Sequence, residues 1–140
     1  MRRVIGLGGI FFKAKSDIAE LKKWYEQHLG IMPSLDEGNS PVWQWRALDE
    51  PERIGDTVWS LFNRDTTYLN PSEAEFMINY RVENLVELLK VLREEGVEIV
   101  GEMEEFEFGK FCWILDPDGN KIELWEPPVS SGFNGAMAME

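Results

Sequence analysis

The feature that most constrains this chain is an internal repeat. Gly30 and Gly96, 66 positions apart, each close a segment of helical periodicity, and Tyr25-Glu26-Gln27-His28-Leu29-Gly30-Ile31 answers Val91-Leu92-Arg93-Glu94-Glu95-Gly96-Val97. In the first half, Val4 to Lys15 reads as a half-buried strand, with Ile10, Phe12 and Ala14 on one side and Gly9, Phe11 and Lys13 on the other. Asp17 stands where an N-cap belongs, with Glu20 three residues on, and Ile18, Leu21, Trp24, Tyr25, His28 and Leu29 recur at helical spacing until Gly30. Apolar runs at Ile31 to Leu35, Val42 to Leu48 and Thr57 to Phe62 predict three strands in a meander. The second half repeats the order: strand Phe76 to Val82, then Asn84 capping a helix with Leu85, Leu88, Leu89 and Leu92, then strands Val97 to Met103, Lys110 to Leu115 and Lys121 to Trp125. Asp116 to Asn120 supplies the last hairpin turn. Strand, capped helix and glycine stop recurring at one spacing mark an internal duplication. The expected fold is α+β, built from two tandem βαβββ modules, about 4–63 and 74–126, in a single domain of residues 1–127 with a tail at 128–140.

Composition narrows the function classes. The 140 residues, 44% hydrophobic and 29% charged, suit one globular domain with a real core. Fourteen Lys and Arg against 26 Asp and Glu leave a net charge of -12 and no basic patch, so neither nucleic acid nor an anionic membrane is an expected partner. No apolar run reaches the roughly 18 residues of a spanning helix, and none is followed by a small-residue cleavage site. A cytoplasmic protein is expected, and the single cysteine, Cys112, fits a reducing compartment. With one histidine, His28, a multi-histidine metal site within one chain is excluded. Its place near the end of the first helix suits a charge interacting with the helix dipole better than a shuttle.

Three segments carry a resemblance: Gly8 to Lys15, Trp24 to Ile31, and above all Phe111-Cys112-Trp113-Ile114-Leu115-Asp116-Pro117-Asp118-Gly119-Asn120-Lys121-Ile122-Glu123-Leu124-Trp125. Over residues 4 to 127 the chain resembles the vicinal oxygen chelate superfamily, which includes glyoxalase I, extradiol dioxygenases and bleomycin- and fosfomycin-resistance proteins. The resemblance implies paired βαβββ modules curling into a mixed-sheet cup, often in a homodimer, with a ligand inside. It speaks for the fold more than for the reaction.

Metal-dependent members draw His and Glu ligands from the first strand of each module and from the last strand of each. Those places fall here on Gly9 or Ile10, on Met77, on Trp59 or Ser60, and on Glu123. Only Glu123 keeps a ligand type, and catalytic metals take about three protein ligands. No cofactor is therefore expected, and a divalent metal would need ligands from elsewhere.

Strand alternation suggests what a cup would present. If Ile10, Phe12, Ile78, Tyr80, Val82, Ile122 and Leu124 lie under the helices, then Phe11, Lys13, Met77, Asn79, Arg81, Glu123 and Trp125 face the other way. Trp43, Trp45, Trp59 and Trp113 can add indole walls to that face, or serve ordinary packing. Lys13 and Arg81 either grip an anionic ligand or form a structural ion pair with Glu123, the second being the favoured reading. The sequence thus points to a small-molecule-binding protein with an aromatic cup. The alternative is a glyoxalase-type lyase or isomerase with Glu123 as metal ligand or general base. A third possibility is a partner protein whose cup is filled by its own side chains or by Phe133 to Met139.

Overall fold

A computed structural model describes residues 2–31 and 40–128. Its elements are β1 (Val4–Lys13), α1 (Ile18–Leu29), β2 (Val42–Ala47), β3 (Glu50–Phe62), β4 (Phe76–Val82), α2 (Leu85–Glu94), β5 (Glu98–Phe106), β6 (Gly109–Leu115) and β7 (Lys121–Glu126). The seven strands form one curved, open mixed sheet in the order β2-β3-β1-β4-β7-β6-β5.

The duplication is visible in the pairing. In each half the first strand lies parallel to the last, β1 to β3 through Gly9–Val58 and Phe11–Ser60, and β4 to β7 through Asn79–Glu123 and Arg81–Trp125. The halves join where β1 and β4 run antiparallel, so the sheet is continuous within one chain. The helices start and stop as their residues dictate. Asp17 and Asn84 accept from the backbone N–H groups of Glu20 and Glu87, each at 3.1 Å. Gly30 and Gly96 take the left-handed φ angles, 69° and 82°, that a side chain resists.

Several boundaries differ from the sequence reading. β1 ends at Lys13 rather than Lys15, where Ala14 turns its N–H to the Phe62 carbonyl. β3 begins at Glu50 rather than Thr57, because a tight turn after Ala47 lets the polar stretch from Glu50 to Asp56 pair with β2 despite lacking an apolar rhythm. The strand expected at Ile31 to Leu35 and the Phe133 to Met139 segment fall on residues 32–39 and 129–140, outside those described apart from Ile31, which is not in a strand.

The two faces of the sheet have separate cores. On the helix side, Leu85, Leu88, Leu89 and Leu92 of α2 bury against Val82, Cys112 and Leu124, with Tyr80 and Ile122 packed alongside. Burying each such leucine contributes about 1.5–3 kcal/mol. By contrast, α1 buries no residue fully, and Ile10 is exposed, contrary to its expected place under a helix. The inner face, opposite the helices, holds Phe11, Val58, Phe62, Leu69, Met77, Phe111, Trp113 and Trp125.

Candidate functional site

Glu123 is the centre of the inner face. It is fully buried on β7, where strand alternation directs it away from α2. Three donors hold its carboxylate. The Tyr68 hydroxyl donates to Oε2 at 2.5 Å, Trp113 Nε1 to the same oxygen at 2.9 Å, and Asn79 Nδ2 to Oε1 at 2.6 Å. Asn79 and Trp113 flank Glu123 because β4 and β6 pair with β7 at that position, whereas Tyr68 arrives from the segment between β3 and β4. Burial pushes the Glu123 carboxyl above its ordinary range, opposed by those three hydrogen bonds and by the charge of Lys121. The Tyr68 hydroxyl is driven far up, first by burial and then by the charge of Glu123. It is a hydrogen-bond donor throughout the neutral range.

Beside this cluster lies a cavity of about 230 Å³, bounded by Tyr68, Trp113, Lys121, Val100, Gly101 and Glu104. It exists because β5 leaves its ladder with β6 between Val100 and Glu104, where Gly101 adopts φ 72°, a conformation disfavoured with a Cβ. Lys121 lies two residues before Glu123 on the same strand face. Its Nζ donates to the Tyr68 carbonyl at 2.7 Å and sits 5.3 Å and 5.7 Å from the Tyr68 and Trp113 ring centroids. Burial lowers its pKa.

The residues expected from the sequence do not all gather in one place. Phe11, Met77, Asn79, Trp113, Glu123 and Trp125 gather on the inner face, and Phe111 stacks between Trp113 and Trp125, with centroids at 6.5 and 5.8 Å. Arg81 is also buried, but the expected ion pair with Glu123 does not form for it or for Lys13, because Glu123 is satisfied by neutral donors. The Arg81 guanidinium instead lies 5.0 Å from Trp125 and 5.8 Å from Trp45 and interacts electrostatically with buried Asp56. Trp45 covers Gly6 and Gly55, and its Nε1 donates to Thr57. Lys13 is half-buried at the end of β1, and Trp43 is exposed. Trp59 departs from expectation. It packs edge-on against Phe12 and against Tyr25 of α1, on the helix side, so it adds no wall to the inner face. His28 is exposed on α1 against Trp24, remote from Glu123 in the fold.

The inner face fits a resident metal poorly. Among the described residues no three His, Cys, Asp or Glu side chains gather to hold an ion. The register sets Asn79, rather than Met77, directly across from Glu123, and Asn79 offers Glu123 an N–H. Three of the roughly four lone-pair positions of the carboxylate already accept hydrogen bonds, so a cation would have to displace donors.

The model of the Glyoxalase/Bleomycin resistance protein/Dioxygenase superfamily matches residues 11–124, and the chain belongs to that superfamily. Methylmalonyl-CoA epimerase from Mycobacterium tuberculosis is similar in structure at 21% identity and TM-score 0.54, over 89% of each chain. The Mn(II)-bound glyoxalase from Novosphingobium aromaticivorans aligns at 17% identity and TM-score 0.57, covering 99% of this chain and 44% of that one. A superfamily member from Vibrio splendidus 12B01 aligns at 14% identity and TM-score 0.54, over 90% and 99% of the two chains. At these identities the likeness speaks for the fold. No curated protein matches the chain.

Proposed function

We propose that this chain binds a small molecule on its inner aromatic face, without a resident catalytic metal, and acts by sequestration or carriage, as a homodimer. The observation that carries the reading is the cavity of about 230 Å³ set against Tyr68 and Trp113, whose polar ends are both fixed on Glu123. Rings held in this way offer a ligand a preorganised apolar wall, which lowers the entropy cost of binding. A second reading is an enzyme in which Glu123 moves a proton. It is favoured by the burial that raises the Glu123 carboxyl and by Tyr68, which both borders the cavity and touches that carboxyl.

Three measurements on tag-free, chelator-washed protein test the proposal. Elemental analysis after dialysis against Zn, Ni, Mn and Fe(II) is expected to find no stoichiometric metal; one metal per chain, lost in Glu123→Ala, would overturn the metal-free reading. Saturation-transfer NMR with phenol is expected to show ring protons receiving magnetisation, with the effect reduced in Trp113→Leu. Absence of transfer would remove the aromatic binding face. Sedimentation equilibrium is expected to give twice the chain mass, and a monomer would remove the dimer.

A further inference from the structure

The cavity beside Tyr68 has its own selectivity, set by size, wall and charge. At about 230 Å³ it falls below the roughly 300–1,000 Å³ of sites for drug-sized ligands, which limits the occupant to about one ring. The Tyr68 and Trp113 rings meet edge to face, at 88° with centroids 6.3 Å apart, and form an aromatic corner of the cavity, with Val100 beside Trp113 on the neighbouring strand.

The charge comes from Lys121. An ammonium has three N–H groups, and the one hydrogen bond found for this side chain goes to the Tyr68 carbonyl. Among the described residues no carboxylate lies within ion-pair distance of it. Glu123 and Glu104 attract this half-buried ammonium only through space, and burial outweighs them, so a directly bonded anion would offset free energy that removal from water costs. Glu102 and Glu104 stand near the same opening, but both are exposed, and water and salt screen their repulsion of an incoming anion more than they screen the closer, partly buried Lys121. Glu123 is farther in, with its carboxylate turned to three donors.

Building on the small-molecule reading above, we propose that the cavity selects a single-ring aromatic carboxylate, with the ring against Tyr68 and Trp113 and the carboxylate on Lys121. The contact is a charge-assisted hydrogen bond, stronger than one to a neutral carbonyl of the same shape.

Three probes of one shape and different charge test this on the full chain by isothermal titration: benzoate, benzamide and benzamidine. Benzoate is expected to bind at least ten-fold tighter than benzamide, with benzamidine weakest. Lys121→Met is expected to abolish the preference, so that benzoate binds no tighter than benzamide, while Lys121→Arg keeps the preference for benzoate. Equal binding of benzoate and benzamide to the unaltered chain would overturn the role of Lys121 and leave the aromatic binding face intact. Preference for benzamidine would overturn the proposal in favour of Glu102 and Glu104. Failure of all three probes would overturn this proposal, and phenol transfer under the same conditions would show whether the broader binding reading falls with it.

Discussion

Tyr68 and Glu123, 55 positions apart, meet on the inner face through a hydroxyl donating to a fully buried carboxylate at 2.5 Å. The bond ties the segment between the two halves of the chain to the last strand of the second half. Removing the hydroxyl in Tyr68→Phe leaves Glu123 two donors instead of three and changes little in shape. The cost of an under-satisfied buried acceptor is about 1–3 kcal/mol. The expected outcome is a loss of that size in urea unfolding, with an unchanged slope. A loss below about 0.5 kcal/mol would show that the hydroxyl does not anchor the cluster.

The same carboxylate makes stability depend on pH in an unusual sense. Burial holds the folded-state pKa of Glu123 above its ordinary value of 4.5, against the pull of Tyr68, Asn79, Trp113 and Lys121. Its contribution to stability is therefore full below the unfolded value and is lost as pH rises through the folded one. Asp116 and Glu95 act the other way. Their pKa values are lowered, Asp116's chiefly by the Asn120 backbone N–H and Glu95's chiefly by the hydrogen bond from Arg3, so their contributions are lost as pH falls. Comparison with Glu123→Gln cancels those groups. In that variant Asn79 can turn its amide so that Oδ1, which has no partner among the described residues, accepts from the new N–H. The difference in melting temperature, parent minus variant, is expected to fall as pH rises from about 4.5 to 8. A constant difference would mean that Glu123 titrates as it does in the unfolded chain.

Much of this fold was legible in the residues, because local and long-range signals agree along most of the chain. Asp17, Gly30, Asn84 and Gly96 act through neighbouring backbone, so their effects can be read without knowing what packs where. Alternation placed Phe11, Met77, Asn79, Glu123 and Trp125 together for the same reason. Two partners of Glu123's cluster escaped notice, for different reasons. Lys121 shares the parity of Glu123 two residues away, a signal present in the sequence. Tyr68 lies between strands, where no periodicity exists and only tertiary packing decides which side chain turns inward. Trp59 follows the alternation of β3 to the helix side, opposite Val58, Ser60 and Phe62, which a reading led by its aromatic character overlooked.

The two helices come from repeated sequence but differ in what they hold. α2 buries four leucines, while Trp24 and Leu29 of α1 remain 50% and 59% exposed. Leu88→Ala is expected to cost about 2–5 kcal/mol, through lost burial and the cavity left behind. Leu29→Ala is expected to stay within about 0.5 kcal/mol. Chemical unfolding of both variants checks the asymmetry. A large effect at Leu29 would mean that something covers α1 in solution.

Cys112 has the position of a packing residue rather than of a nucleophile. It is buried among the α2 leucines and Leu124, and its thiol is pushed up to about 12, first by burial, with the charge of Arg93 pulling the other way. Thiolate is the reactive species, so at neutral pH the folded protein combines a negligible thiolate fraction with a closed approach path. Ellman's reagent is expected to titrate no thiol in the native protein and one per chain after unfolding in guanidinium. Native-state reaction at a rate set by global unfolding agrees with this placement. Rapid reaction under native conditions would mean that α2 lifts from the sheet far more often than the burial of Leu85, Leu88, Leu89 and Leu92 allows.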